Sequence, residues 1–414
     1  MTDIRLDRTF WPVGHGAFYT EVLQGDSRFV AVYDCGGKSR PIVEKSINYF
    51  VNSLDGGIPK PMIDFLFISH FHTDHINGVQ YLLKIANIRK IILPCLAPFM
   101  LAESYIYNAF VEGSETGEVS SDAQNFIYLL ATNRRAIDSE ILEVTSALDH
   151  NDEEEPNENH NTGKDVFKSG RGFMVALGTD PLWIYIPVCV GYNEKECRAL
   201  LKKVSETLSP EEPLYNNNDI DWSRLTDILK RTKTSVIQSI YAEIFGKRSE
   251  TTGKIVCNHN AYSMPVFSGP IDGALANCEM KSFANYDRRR DGWDEQGDYE
   301  LFSRHYWGDD RSTLSCLYMG DFEANHYLNP LKRTLGKYYN QRGLQQVPHH
   351  FSEYNHNKDL YNHSEYAFGN IDDHTDVSFC FSVSREIESV INAPAIIITE
   401  KNHYFKIKYW VFVK

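Results

Sequence analysis

The segment ISHFHTDHINGVQ, from Ile68 to Gln80, carries three histidines and an aspartate within six positions. In extended backbone, alternate side chains point to the same side, so His70 and His72 can share one ion. Asp74 and His75 follow where the chain turns into a helix, and diverging side chains there can serve a second, nearby ion. Imidazole and carboxylate together suit zinc, manganese or iron(II) and argue against calcium. The alternative, a solvent-exposed polar turn, fits poorly after a strongly apolar run, so the segment predicts a metal site.

Buried strands and helices alternate around this cluster. The run IDFLFIS before it is typical of a buried strand, INGVQYLLKIA after it has helical spacing, and IRKIILP is another apolar run. Upstream, FWPVGHGAFYTEVL and RFVAVYDCGG predict two strands joined by a QGDS turn. The cluster therefore lies at the end of a central strand.

The rest of the chain divides into a helical middle and a strand-rich end. Residues 96–253 are predicted to be a mainly helical insertion with one core strand near 182–187, LWIYIP. The tail AIIITEKNHYFKIKYWVFVK alternates as expected for a closing antiparallel pair. We predict an N-terminal half at 1–95 and a C-terminal half at 254–414, which together suit a two-sheet α/β sandwich better than two independent domains.

Composition narrows the functional classes. The chain has 414 residues and a formal net charge of −14. Contacts to phosphate groups need lysine and arginine, so this charge argues against a protein that coats nucleic acid without regard to sequence. Its eight cysteines are scattered without a CxxC pair, which indicates reduced thiols rather than a zinc ribbon or a disulfide framework. Neither a signal layout nor a membrane-length apolar run is found, so we predict a cytoplasmic protein without a membrane partner.

Six stretches of the sequence resemble motifs of one protein family, and they follow one another in the order in which that family has them. HFHTDH resembles the HxHxDH signature of the metallo-β-lactamase fold, and LYMGDFEA resembles its GD motif. VGHGAF, VAVYDCGG, NHNAYSMPV and VPHHFS resemble, more specifically, the hydrolase domain of bacterial competence (DNA-uptake) proteins and its soluble relatives. The resemblance covers about residues 9–95, 182–187 and 254–414. It implies an α/β fold, a four-layer αββα metallo-β-lactamase-like sandwich, here with a large and mainly helical insertion.

The resemblance also implies a dinuclear metal site, with zinc the first choice and manganese or iron the alternatives. Asp321 would bridge the two ions, and Asp74 and Asp321 would be the catalytic carboxylates. One of His349 and His350 would be a ligand, with a slight preference for His349. The candidate ligands are His70, His72, Asp74, His75, Asp321, His349 and His350. The candidates for orienting a ligand or holding substrate are Asp34, His259, Asn260, Ser263 and Ser352.

Within these supporting residues the expected roles differ. Asp34 ends a strand and is expected to orient a ligand histidine without binding metal itself. His259 could replace a histidine ligand that this branch generally lacks, although a lone histidine is more often structural. Ser352 and Asn260 could hold the substrate.

The sequence departs from the family pattern at several positions. His15 stands where the branch usually has glutamine, and Ala17 where it often has aspartate. Phe351 replaces the glycine of HHGS and is expected to narrow the substrate groove. His356 lies in a polar, asparagine-rich stretch and is expected to be solvated.

Three functions compete. The first is hydrolysis of a phosphodiester, in a nucleic acid or a nucleotide, by a metal-bridging hydroxide, since bound ions lower the pKa of water toward ~7. The second keeps the fold but cleaves a carboxylic ester, thioester or lactone. The third is a component of a multi-protein system, such as a defence system, that docks a protein partner through the helical insertion. Intact metal ligands argue against a purely structural role.

Overall fold

The computed structural model describes most of the chain. The described residues are 3–54, 59–95, 97–111, 121–147, 166–190, 194–248, 255–257, 263–271, 278–286, 300–302, 314–353, 355–372, 377–391, 395–400 and 405–413.

The strands follow one another along the chain with helices between them. The first are β1 (Ile4–Phe10), β2 (Tyr19–Gln24), β3 (Arg28–Tyr33), β4 (Met62–Phe67), β5 (Asn87–Pro94), β6 (Glu140–Thr145), β7 (Val166–Lys168), β8 (Phe173–Ala176), β9 (Pro181–Pro187), β10 (Tyr215–Asn216) and β11 (Asp219–Ile220). The others are β12 (Gly246–Arg248), β13 (Ile255–Cys257), β14 (Val266–Pro270), β15 (Cys278–Tyr286), β16 (Glu300–Phe302), β17 (Cys316–Tyr318), β18 (Leu344–Gln346), β19 (Tyr366–Asn370), β20 (Ile396–Ile398) and β21 (Phe405–Val413).

The helices are mostly two to four turns long. They are α1 (Arg40–Leu54), α2 (Thr73–Ile76), α3 (Val79–Ile85), α4 (Pro98–Val111), α5 (Ser121–Thr132), α6 (Glu194–Leu208), α7 (Trp222–Arg231), α8 (Thr234–Phe245), α9 (Ala324–Leu335) and α10 (Val377–Ile391). Short 3-10 turns include Pro348–Phe351 and Lys358–Tyr361.

Two large sheets form the centre of the fold. The first has the strand order β16-β15-β21-β1-β2-β3-β4-β5-β6-β7, antiparallel on the β1 side and parallel from β3 to β7. The second has the order β20-β19-β18-β17-β14-β9-β8, with a parallel half from β17 to β20. The short pairs β10-β11 and β12-β13 stand apart.

Three apolar clusters divide the molecule into layers. One lies between the two sheets and is rich in aromatic side chains such as Phe10, Tyr19 and Phe368. A second joins the outer face of the first sheet to α1 and α3 to α8. A third joins the outer face of the second sheet to α9, α10 and the 3-10 turns. The order helix, sheet, sheet, helix confirms the predicted αββα sandwich with added helices.

A buried ion pair within the first sheet faces the second sheet. Nε of Arg8 on β1 lies 2.6 Å from Oε1 of Glu21 on β2, with side-chain exposures of 0% and 3%. Glu21 also accepts hydrogen bonds from Tyr185, Ser268 and Tyr318 of the second sheet, at 2.6–2.7 Å. Burial opposes ionisation, yet Arg8 and these donors hold the pKa of Glu21 below its ordinary value. The network ties the two sheets together.

Two local predictions need correction. The middle of the chain was expected to hold one core strand, but β6 to β9 all join the large sheets, two in each. β9 is the predicted strand, whereas β6 alternates glutamate and threonine with apolar side chains, and β7 and β8 have only three and four residues. None of these three additional strands is a long apolar run. The tail is not an antiparallel pair: β20 pairs with β19 in the second sheet and β21 pairs with β1 in the first. The division into halves and an insertion stays a prediction.

Candidate metal centre

The histidine-rich segment lies between the end of β4 and the start of α3. Phe71 is fully buried and anchors the loop in the apolar core, while the imidazoles of His70, His72 and His75 are 0–4% exposed. Asp74 and His75 belong to the single turn α2, which changes the direction of the chain. Side chains alternate in direction along the extended loop, and the helical turn α2 changes the direction of the next ones. Together they bring the side chains of His70, His72, Asp74 and His75 into one region.

Asp321 approaches the same region from the second sheet. It follows β17 and Gly320, whose φ is +55°. A Cβ at Gly320 would lie 2.5 Å from Oγ of Ser263 and 2.6 Å from Cβ of Ser69, so only glycine fits between the two sheets there. The backbone N–H of Asp321 donates to Oγ of Ser263 at 3.0 Å, which fixes the start of the loop.

His349 and His350 lie in the tight turn after β18. Three successive residues from His349 to Phe351 have φ between +48° and +65°, in the left-handed region. This turn brings His350 inward, with 6% of its side chain exposed, and leaves His349 at 28%. Nδ1 of His350 donates to the carbonyl of Asn370 at 3.0 Å, so its Nε2 faces the cluster.

The ligand-type atoms form two groups of three within 4.8 Å of one another. The groups are His70, His72 and Asp321, and Asp74, His75 and His350. Asp321 also connects them: its Oδ2 lies 3.6 Å from Nε2 of His70, and its Oδ1 lies 3.2 Å from Nε2 of His75 and 3.5 Å from Nε2 of His350. Ligands about 2.0–2.1 Å from a tetrahedral ion are about 3.3 Å apart, so these spacings suit ligation.

The imidazoles carry their hydrogen-bond partners on the outer nitrogen. Nδ1 of His70 lies 2.9 Å from Oγ of Ser69, and Nδ1 of His75 lies 2.8 Å from Oδ2 of Asp34. The inner Nε2 atoms of His70, His72, His75 and His350 are buried without a hydrogen-bond partner. Since buried polar atoms are rarely left unsatisfied, four such nitrogens facing two carboxylates fit divalent metal ions.

Asp34 organises this outer layer. Its carboxylate accepts hydrogen bonds from the backbone N–H and the hydroxyl of Ser69, at 2.6 and 2.7 Å, in addition to contacting His75. Burial raises the pKa of Asp34, although His75 opposes this shift. Asp34 is therefore one hydrogen bond away from His75, a candidate ligand, and its orienting role stays a prediction.

Charge in the site is uneven. Burial lowers the pKa of His70 well below its ordinary value and that of His72 to about 4, so both are neutral, the form that binds metal. Burial acts in the same direction on His75, but neighbouring carboxylates, first Asp74, outweigh it and hold its pKa well above the ordinary value. The pKa of Asp321 is held well below its ordinary value, against burial, by the surrounding histidines. These pKa shifts indicate that the electrostatic environment of the site favours the binding of a cation.

The remaining candidate residues lie at different distances from the cluster. Ser263 supports the Gly320–Asp321 backbone, and Ser352 is half-buried beside the turn, where its N–H donates to the His349 carbonyl. His259 and Asn260 lie outside the described residues. The geometry favours His350 over His349 as the ligand of the second group, although Nε2 of His349 lies 3.5 Å from Oδ2 of Asp321.

Two predictions about side-chain exposure are wrong. Phe351 is 1% exposed and packs into the outer core of the second sheet, so it does not narrow a groove. The φ of +65° at Phe351 explains why the related motif has glycine at this position. Packing of the Phe351 ring in the core stabilises the strained backbone. His356 is 9% exposed and lies 3.0 Å from Oε2 of Glu386 and 3.4 Å from the Tyr361 hydroxyl. Tertiary packing covers this polar stretch.

Sequence reasoning missed several supporting residues. Ser69, which links Asp34 to His70, directly precedes the cluster, and that adjacency was the available signal. The carbonyl of Asn370, which fixes His350, carried no signal because any residue supplies a carbonyl. His15, noted as a departure, lies at the mouth of the site, its ring centroid 4.8 Å from that of His350 and its Nδ1 3.2 Å from Asp372.

Comparison with known proteins agrees with this arrangement. Residues 22–179 match the metallo-beta-lactamase superfamily. This match spans β2 to β8 and includes the histidine-rich segment. The matched segment contributes β3 to β7 of the first sheet and β8 of the second, while the resemblance to the competence-protein branch stays a prediction.

Wider comparisons add little about function. The chain resembles the crystal structure of a long form RNase Z from yeast, with 10% sequence identity and a TM-score of 0.31. The likeness covers 88% of this chain and 37% of that one, so the chain spans little more than a third of that protein. At this level the likeness carries no argument about activity. A search of curated proteins finds no match. Where the structure describes a helix, it is too short or too polar to cross a membrane.

Asp34→Asn is expected to weaken zinc binding by about 10- to 100-fold, because the amide cannot serve the His75 and Ser69 donors as the carboxylate does. Asparagine tolerates the φ of 55° at this position, so the fold is expected to persist. Competition with a chromophoric chelator measures the affinity. The matched control is Asp64→Asn, a buried aspartate that accepts from the Val30 N–H on the same sheet. Equal zinc affinities in the Asp34 variant and wild type would refute the orienting role.

Proposed function

We propose that the protein is a metal-dependent hydrolase of phosphodiesters, in a nucleic acid or a nucleotide, with a dinuclear site. One observation carries the proposal: four buried imidazole Nε2 atoms without hydrogen-bond partners converge with the carboxylates of Asp74 and Asp321 in two groups of three. The superfamily match supports hydrolysis, and the predicted competence-type branch supports the phosphodiester.

The residues of the site would have two roles: some would bind the metal ions, and others would orient these ligands. His70, His72 and Asp321 would hold one ion and Asp74, His75 and His350 the other, with Asp321 reaching both. Zinc suits this nitrogen- and carboxylate-rich set, and manganese or iron are alternatives. When bound, such ions lower the pKa of water toward about 7 and neutralise charge developing on the attacked group.

The surrounding residues would keep this set in one geometry. Asp34 and Ser69 orient two imidazoles through their Nδ1 atoms, and the Asn370 carbonyl orients a third. Ser263 fixes the backbone of Asp321. The roles of Ser352 and Asn260 in holding the substrate, the cytoplasmic location and a protein partner at the insertion are retained as predictions.

A paired substrate screen tests the function. The purified protein, metal-stripped and then supplied with zinc or manganese, is assayed with bis(p-nitrophenyl) phosphate and with p-nitrophenyl acetate. We expect phosphodiester cleavage that disappears on chelation and returns with metal. Metal-dependent cleavage of the carboxylic ester alone would contradict the phosphodiester assignment and favour the ester, thioester or lactone hypothesis.

A further inference from the structure

Helix α4 of the helical region contacts the histidine-rich loop directly. Asn108 on α4 is fully buried, and its side chain bonds the backbone on both sides of His72. Its Nδ2 donates to the carbonyl of Phe71 at 2.9 Å, and its Oδ1 accepts from the N–H of Thr73 at 3.1 Å. One amide side chain therefore fixes the two peptide groups that flank a candidate ligand.

The preceding residue on α4 contacts the ligand ring itself. The ring of Tyr107 stacks on the imidazole of His72, with centroids 4.0 Å apart and planes 20° apart. On its other sides Tyr107 contacts the rings of Phe110 on α4 and Tyr241 on α8, at 5.2 and 5.5 Å. The imidazole thus rests on an aromatic group that belongs to the helices.

His72 is held differently from the other candidate ligands. Hydrogen bonds at Nδ1 hold His70, His75 and His350, from Ser69, Asp34 and the Asn370 carbonyl respectively. For His72 the structure shows a stacked ring and a clamped backbone. Because stacked aromatic rings attract each other beyond the area they bury, the Tyr107 ring favours one orientation of the His72 imidazole.

The position of α4 is in turn fixed within the helical region. Glu103, one turn before Tyr107, is fully buried and accepts from the Tyr241 hydroxyl at 2.5 Å. Tyr105 bonds Thr226 on α7 through its hydroxyl at 2.8 Å. Helix α4 therefore packs against α7 through Tyr105 and against α8 through Glu103.

We propose that Tyr107 and Asn108 are positioning residues for His72, so that the helical region forms one wall of the metal centre. The inference rests on the metal centre of the proposed function. It gives the helical region a role in metal binding in place of, or in addition to, docking a partner. Loss of the Tyr107 ring or of the Asn108 amide would then lower metal affinity without removing a ligand.

Zinc affinity of the full chain tests this proposal, measured by competition with a chromophoric chelator. Tyr107→Leu removes the stacked ring, and Asn108→Ala removes both backbone bonds. Each is expected to weaken zinc binding by about 10-fold or more, the range found for groups that orient metal ligands. Tyr107→Phe keeps the ring and is expected to bind zinc as wild type does.

Tyr105→Leu is the matched control. This tyrosine is on the same helix and 4% exposed, but it faces Trp222 and Thr226 of α7. It is expected to keep wild-type zinc affinity while losing comparable stability. Wild-type affinity in Tyr107→Leu and Asn108→Ala, or an equal loss in Tyr105→Leu, would overturn the proposal. Failure of the wild-type protein to bind zinc would instead refute the metal centre on which it rests.

Discussion

Asp321→Ala is expected to lower phosphodiester hydrolysis by on the order of 10³-fold and to reduce bound metal from about two equivalents to one or none. The reason is that one carboxylate reaches both groups of candidate ligands, with oxygens 3.2–3.6 Å from Nε2 of His70, His75 and His350. The other carboxylate of the cluster, Asp74, lies 3.7 Å from Nε2 of His75 and 3.3 Å from Nε2 of His350, both in its own group. Steady-state rates and plasma mass spectrometry of the same preparations measure the two effects.

The control for this variant is Asp359→Ala, an exposed aspartate in the 3-10 turn Lys358–Tyr361. It removes the same carboxyl group at a distance from the cluster and is expected to keep wild-type rate and metal content. Unchanged hydrolysis and metal content in Asp321→Ala would remove the bridging role from the account.

Glu21→Ala is expected to lower the free energy of unfolding by about 3–5 kcal/mol, because it leaves the Arg8 guanidinium charged and buried between the sheets. The carboxylate also accepts from Tyr185, Ser268 and Tyr318, so three more buried donors lose their partner. Denaturant unfolding followed by circular dichroism measures the loss.

Two further variants distinguish the loss of this buried network from the general effect of replacing a charged side chain. Glu44→Ala breaks an exposed i,i+4 pair with Arg40 and is expected to cost less than about 1 kcal/mol. The double variant Arg8→Met with Glu21→Leu removes both charges and is expected to be more stable than Glu21→Ala. An unfolding midpoint of Glu21→Ala equal to wild type would contradict the role given to the network.

The fold could be predicted in outline because its central strands are continuous apolar runs. The run before His70 became β4, and IRKIILP became β5, as buried parallel strands require. The pattern failed for β6, where glutamate and threonine alternate with apolar residues, and for β8, which has only four residues and is too short to be recognised as a strand. It also failed for the tail, where β20 and β21 are close in sequence but belong to different sheets.

The candidate site was accessible from sequence where chemistry and local spacing coincide. The spacing of His70, His72 and His75 places their imidazoles in one region, because the extended loop and the turn α2 leave few alternatives. The choice between His349 and His350 was not accessible, since it depends on three successive positive φ angles. Left-handed backbone at consecutive residues other than glycine has no simple sequence signal.

The supporting contacts were the least predictable part. Tyr107 and Asn108 are about 35 positions from His72 and fall in a segment with ordinary helical spacing. Helical periodicity indicates which side chains are buried, but it does not say which loop they contact. Phe351 illustrates the same limit, because a bulky side chain at a glycine position can be buried as easily as it can block a groove.

The central claim is that the clustered imidazoles and carboxylates bind two metal ions. Metal content of the purified protein, measured by plasma mass spectrometry for wild type and His72→Ala in parallel, tests it most directly. We expect about two equivalents of zinc, manganese or iron in wild type and a clear loss in the variant. A wild-type protein that holds no metal, even after metal is added back, would show that the cluster is not a metal site.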